Sequence, residues 1–186
     1  MSSPERLTGP TEPIGDGELA LRDWREEDAP QVAAACNDPE IQRWIPVPSP
    51  YRLEDALEYI QMRAAEREAG RELRFALVRR DDESAVLGSI GIVRPSLRDR
   101  RAEIGYWLAP TARGHGYTAR AVRMLGDWAA AAYELRRLEL IVAVDNGASC
   151  AVARAAGYRQ EAVLSRYIVS GGEEHDAAVF ALLLGT

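Results

Sequence analysis

Hydrophobic and polar positions along this chain follow two alternating periods, and each change of period marks an element. Residues 18–24, Glu-Leu-Ala-Leu-Arg-Asp-Trp, alternate crudely and predict a first strand. Asp28-Ala29-Pro30 opens a helix, with Asp28 as the expected cap and Pro30 tolerated in the first turn. The run Ile45-Pro46-Val47-Pro48-Ser49-Pro50 cannot be helical, because proline lacks the amide a helix needs, and it reads as a loop. Leu53, Ala56, Leu57, Ile60 and Ala64 then recur at helical spacing, which predicts an amphipathic helix over residues 53–69 ending at Gly70.

Strand-like runs follow. Residues 73–79 and 85–93 flank the polar turn Asp81-Asp82-Glu83 and predict a hairpin. Residues 102–108 form a third run interrupted by Gly105, where a bulge or a close backbone approach is expected. Residues 117–132 place Ala121, Val122, Leu125, Trp128, Ala129 and Ala132 on one helical face. Residues 138–144 read as a buried strand, and 148–156 as a short helix stopped by Gly157. Residues 158–169 and 176–184 look like a closing antiparallel pair around Gly171-Gly172. The mixed order predicts an α/β (α+β) fold without an internal repeat. Residues 1–16 hold three prolines and little to bury, so they read as a flexible leader before a single domain over 17–186.

At 186 residues, 47% apolar and 28% charged, the chain is long enough for a substantial core. Its net charge of −6 argues against a broad nucleic-acid surface, which needs clustered Lys and Arg. A small anionic cofactor is not excluded, since a few backbone amides suffice to hold one. The two cysteines, Cys36 and Cys150, give neither a disulfide framework nor a metal-ligand spacing, so no metal is expected. No apolar run approaches the roughly 18 residues of a membrane span. The first residues lack the plan of a signal peptide. A cytoplasmic protein with no membrane association follows as the expectation.

The segment that carries chemistry is Leu108-Ala109-Pro110-Thr111-Ala112-Arg113-Gly114-His115-Gly116-Tyr117-Thr118, which joins a strand to the best helix in the chain. A helix N-terminus presents unpaired amides and the positive end of the dipole, a natural seat for pyrophosphate. Gly114 and Gly116 let the backbone approach phosphates closely. A nucleotide-binding Walker loop is excluded because no Gly-Lys-Ser/Thr follows, and the dinucleotide fingerprint because its third glycine is absent.

Three neighbouring segments narrow the reading: Ala102-Glu103-Ile104-Gly105-Tyr106-Trp107-Leu108 upstream, Val142-Ala143-Val144-Asp145-Asn146-Gly147-Ala148-Ser149 downstream, and Ala156-Gly157-Tyr158 beyond. Together with the loop they resemble the GNAT superfamily of acyl-CoA-dependent N-acyltransferases. Asn37-Asp38-Pro39-Glu40-Ile41-Gln42-Arg43-Trp44 and the proline-rich loop to Tyr51 are similar to its RimJ/RimL branch, which acetylates protein N-termini. The resemblance spans roughly residues 18–184. It implies a mixed, mostly antiparallel sheet flanked by helices, with a splayed strand pair holding acetyl-CoA. It also implies direct transfer of the acetyl group to a primary amine.

Laid on the residues, the resemblance implies that Arg113, Gly114, His115, Gly116, Tyr117 and Thr118 form the acyl-CoA loop. Thr118 departs from the family's usual Gly or Ala there. The main-chain N–H of Leu108 is implied as the oxyanion donor. Glu103 stands where many members carry the carboxylate that removes the amine's proton, often through water; its plainer role is a solvated strand-edge glutamate. Asn146 matches the family's cofactor-contacting asparagine, and equally serves as a helix cap. Ser149 matches a serine that protonates the leaving thiolate, or completes that cap. Other branches place a tyrosine acid where this chain has Ala153, so that mechanism is excluded here.

Several residues are left without a catalytic role. Cys150 reads as a small core residue. His175 and Asp176 are adjacent in a strand and face opposite sides, which speaks against a dyad. Trp44, Tyr51 and Tyr167 are candidates for the acceptor pocket or for core. The partner expected is an amine acceptor, a protein N-terminus or a small molecule such as an antibiotic or polyamine, with the chain a monomer or homodimer. A non-catalytic acyl-CoA-binding module and a donor longer than acetyl are the competing readings.

Overall fold

Period-two alternation sorts the strand side chains onto two faces of one sheet, and helices cover both. The computed structural model describes residues 6–185. In chain order these form β1 (Ile14–Gly15), β2 (Leu19–Arg22), α1 (Ala29–Cys36), α2 (Pro39–Trp44), α3 (Leu53–Glu68), β3 (Leu73–Arg79), β4 (Val86–Ser96) and β5 (Arg101–Leu108). They continue with α4 (Tyr117–Tyr133), β6 (Arg137–Ala143), α5 (Gly147–Ala155), β7 (Arg159–Ser170) and β8 (Glu173–Leu183). The eight strands make one sheet in the order β1-β2-β3-β4-β5-β6-β8-β7. Every pairing is antiparallel except β5 with β6, which run parallel. A parallel pair needs a long crossover, and α4 supplies it.

On one face Leu21, Phe75, Leu77, Ile90, Ile92, Ile104 and Leu140 pack with Ala121, Val122, Leu125 and Ala129 of α4. Leu125 is fully buried, so Leu125→Ala would cost about 2–5 kcal/mol. The opposite face carries α1 and α3, whose Val32, Ala56 and Ile60 meet Val86 and Trp107. Among the described residues no helix is long and apolar enough to cross a membrane.

The structure revises several local expectations. The first five residues of the expected leader lie outside the described residues. The rest of it is packed: Leu7 is 2% exposed, and Ile14 pairs with Leu21 across β1 and β2. Asp28 does not cap α1. Its carboxylate takes two guanidinium bonds from Arg22, at 2.8 and 2.7 Å, and the Arg25 amide at 2.9 Å, because it is buried and needs its charge matched. Gly105 carries no bulge, since register runs unbroken from Gly88↔Leu108 to Val93↔Glu103. The close approach falls instead on β4, where a Cβ on Gly91 would stand 2.4 Å from the Leu73 carbonyl.

Candidate functional site

Strands β5 and β6 pair only at Arg101↔Arg137, Ala102↔Leu138 and Glu103↔Glu139. Beyond that point β5 runs on to Leu108 and β6 to Ala143 with no further partner between them, so the sheet opens into a wedge. The Ala109 amide bonds the Leu87 carbonyl of β4 at 2.8 Å. Strand alternation therefore turns the amides of Leu108 and Tyr106 the other way, into the wedge. Leu108 thus offers an unpaired main-chain donor at its mouth.

The turn after β5 delivers a second set of donors. Gly114 and Gly116 sit at φ 82° and 73°, the left-handed region that glycine enters without strain. A Cβ at either would meet no protein atom within 4 Å, so the space in front of them is open. Gly116 caps α4 without a side chain, and the first main-chain bond into the helix is from Arg120 to the Gly116 carbonyl. The amides of residues 114–119 have no acceptor among the described residues. Unfilled donors at a positive helix end suit a pyrophosphate, and the residues present fit the CoA group implied by the sequence.

Wedge and turn open into one cavity of about 410 Å³. Of the residues expected at the site, Trp44, Leu108, Arg113, Gly114, Gly116, Tyr117, Thr118, Asn146 and Ser149 line it. Asn146 caps α5, its side-chain oxygen accepting the Ser149 amide at 3.0 Å. That cap holds Ser149 at the wall. Arg113 donates to Asp38 at 2.5 Å, and Asp38 also caps α2 by accepting the Ile41 amide at 3.1 Å. The Arg113 guanidinium holds the Asp38 carboxyl below the usual carboxylate range.

Other expected residues lie elsewhere. Glu103 is not among the lining residues; it stands at the apex of the wedge, 8% exposed, with Arg94 at 3.3 Å. Burial raises its pKa above the ordinary 4.5, opposed by Arg94 and reinforced by the Glu139 carboxylate beside it. His115 projects outside the cavity and stacks on Tyr117, centroids 5.1 Å apart. Tyr51 is buried in the cluster beneath α1 and α3, its hydroxyl bonded to the Asp55 carbonyl, so it is core and not cavity wall. Tyr167 is half-exposed on β7, away from the lining.

Cys150 is buried, its Sγ facing the Ala143 carbonyl at 3.8 Å, and Ala153 is wholly buried. His175 pairs across to Asp145 at 3.1 Å, whereas Asp176 accepts the Arg166 amide of β7. Among the described residues no group of three or more His, Cys, Asp and Glu could hold a metal.

Sequence reasoning misses Tyr106, Trp107, Glu40, Ile41 and Ile45, all in the lining. Tyr106 hydroxyl donates to the Ser149 carbonyl at 3.4 Å, and burial pushes its pKa up to about 12. Strand alternation beside Leu108 is the available signal for Tyr106. For α2 it is the Asp38-Pro39 pair, a cap followed by a first-turn proline.

Comparison with known proteins gives this geometry a context. A model of the acetyltransferase (GNAT) domain matches residues 18–159. The uncharacterized N-acetyltransferase YoaA of Bacillus subtilis is 28% identical over 165 residues, covering 89% of this chain and 93% of that one. Mycobacterium smegmatis RimJ, solved in complex with CoA-disulfide, superposes with a TM-score of 0.80 at 26% identity, over 89% of this chain and 81% of that one. RimL, a ribosomal L7/L12 alpha-N-protein acetyltransferase solved with coenzyme A, gives 0.82 at 22% identity, over 93% and 98%.

Proposed function

The chain belongs to the GNAT acetyltransferase family and uses acetyl-CoA as its acetyl donor, and from that premise we propose that its acceptor is a free α-amine on a protein, peptide or amino-acid-like molecule. The observation that supports this reading best is the convergence of unpaired amides at residues 114–119, the inward Leu108 amide and the Asn146–Ser149 cap on one cavity. Acetyl-CoA supplies a thioester, an acyl carbon already open to attack by an amine. The turn amides hold its pyrophosphate, assisted by the α4 dipole. Leu108 N–H stabilises the charge that grows on the carbonyl oxygen. Glu103, at the apex of the wedge, takes the amine's proton through water, and burial, which raises its pKa, makes its carboxylate a stronger base. Ser149 passes its hydroxyl proton to the departing sulfur and takes up in exchange the proton that the newly acetylated nitrogen sheds.

Proton chemistry supports the α-amine. Its ordinary pKa is about 7.7–8.0 against about 10.4 for lysine, so far more of it is free base at neutral pH. A site whose proposed base, Glu103, stands outside the cavity lining matches the easier nucleophile. The test is a single peptide bearing a free N-terminus and an internal lysine, with the acetyl group located by mass spectrometry. Acetyl mainly on the N-terminus is expected. Acetyl mainly on lysine overturns the preference, and none on either moves the acceptor to small molecules.

A further inference from the structure

The cavity has a charged feature on the exposed first turn of α2. Among its lining residues only Glu40 and Arg113 carry a full charge, and the remainder are apolar or neutral. Arg113 belongs to the cofactor turn and is already matched by Asp38. Glu40 is different. Its Oε1 accepts the indole N–H of Trp44 at 2.7 Å, and its other oxygen has no partner among the described residues.

Trp44 in turn is held by a closed ring of side chains from three separate elements. The Arg43 guanidinium lies over the indole at 4.6 Å, and the His175 ring meets it edge-on at 5.3 Å. His175 bonds Asp145 at 3.1 Å, and Asp145 closes the ring on Arg43 at 3.6 Å. Ser170, at the β7–β8 turn, donates its hydroxyl to the Arg43 carbonyl and ties the ring to the hairpin. None of Arg43, Asp145, Ser170 or His175 lines the cavity. Their common effect is to fix Trp44, and through its N–H to fix Glu40.

We propose that Glu40 and Trp44 form the seat for the acceptor's ammonium group, before that group gives up its proton. This rests on reading the cavity as the site of acetyl transfer. An amine arrives mostly protonated, and a cation entering an apolar cavity needs a counter-charge and polar contacts. The free oxygen of Glu40 supplies the charge, and Trp44, its ring held by Arg43 and His175, fixes that carboxylate in place through its N–H. Glu103 does not serve here, because it is outside the lining and engaged with Arg94. The seat selects an acceptor whose amine is cationic, since a neutral nitrogen loses the charge pairing with Glu40.

The test is steady-state kinetics with acetyl-CoA and a free-N-terminus peptide whose lysines are blocked, alongside a panel of small primary amines. Glu40→Gln is expected to raise the acceptor KM about tenfold, with kcat and the acetyl-CoA KM within about twofold of wild type. Glu40→Asp should recover part of the loss, which a merely structural residue would not show. Trp44→Leu should raise the acceptor KM in the same direction, with a melting curve recorded because the side-chain ring loses its centre. A working wild type whose Glu40→Gln variant keeps its acceptor KM overturns this inference alone. A wild type silent towards every amine overturns the reading beneath it as well.

Discussion

Glu103 on β5 and Glu139 on β6 are the last register partners before the two strands part, so the wedge that opens the site begins at a pair of carboxylates. Adjacent acidic side chains repel, and both sit beside arginines: Glu103 near Arg94, Glu139 near Arg137 at 2.7 Å. Glu139 is bonded by Arg137, while burial raises the pKa of Glu103, with the Glu139 carboxylate reinforcing the rise.

This arrangement makes a kinetic and a thermodynamic prediction for Glu103→Gln. On the proposed role of Glu103 as base, its loss should lower kcat by about 10²-fold or more, with acetyl-CoA affinity unchanged. Because its folded pKa is raised, its favourable contribution is full below the ordinary value of 4.5 and is lost as pH rises through the folded value. Wild type should therefore lose stability across that interval while Glu103→Gln should not, so melting curves from about pH 4 to 8 should converge at the acid end. An active Glu103→Gln enzyme sinks the catalytic role. A parallel pH slope in both proteins sinks the titration.

The cofactor turn gives a binding prediction. Gly116 sits at φ 73°, and a Cβ added there would have no protein atom within 4 Å, so Gly116→Val strains the turn locally but clashes with nothing. A left-handed residue with a Cβ costs roughly 1–2 kcal/mol, which a folded domain tolerates. Saturating acetyl-CoA should raise the wild-type Tm, by about 2.7 kcal/mol of stabilisation at roughly a hundred times Kd. The variant should show a lower Tm and no such shift. A normal shift would remove the turn from the site.

Ser149 and Cys150 separate chemistry from packing within one turn of helix. Ser149 lines the cavity and Cys150 is 6% exposed behind it, its thiol raised in pKa by burial. Ser149→Ala should lower kcat with little change in stability. Cys150→Ala should cost about 1 kcal/mol of packing and leave turnover intact. The reverse pattern in a thiol-release assay would point to a covalent route through Cys150.

What is legible in the sequence follows from which features are local. The α4 stripe, the Gly114-x-Gly116 turn and the Asn146 cap each depend on a few neighbouring residues, and each is where the periodicity puts it. The wedge is less local, because it depends on where β5 and β6 stop pairing, and no residue in either strand announces that limit. Gly105 misleads for the same reason: a close approach is a property of two strands, and the glycines that permit it, Gly88 against β5 and Gly91 against β3, both lie on β4. Sequence context leaves Tyr51 open between pocket and core because an aromatic after a proline-rich loop looks alike at a cavity and in a core, and folding puts it in the core. Glu40 and His175 gain partners only through folding, Glu40 with Trp44 in its own helix and His175 with Asp145 on a different element.

The last prediction concerns Asp38, which does two things at once. It caps α2 through the Ile41 amide, and it holds Arg113 of the cofactor turn. The two functions come apart in the choice of substitution. Asp38→Asn keeps a side-chain oxygen for the cap and loses the ion pair, whereas Asp38→Ala loses both. A lost cap costs about 1 kcal/mol. A partly exposed ion pair contributes only about 0.2–1 kcal/mol. Asp38→Ala should therefore be the less stable variant, and Asp38→Asn close to wild type. Binding should move the other way: freed from its carboxylate, Arg113 can turn to the phosphates, so both variants should bind acetyl-CoA more tightly. The pair also has a pH signature. The Arg113 bond lowers the Asp38 pKa, so its contribution is present above the ordinary value of 3.8 and fades as pH falls through the folded value. Titration calorimetry with acetyl-CoA on the three proteins decides it. Unchanged affinity in Asp38→Asn would mean that Arg113 is a strut for α2 and takes no part in holding the cofactor.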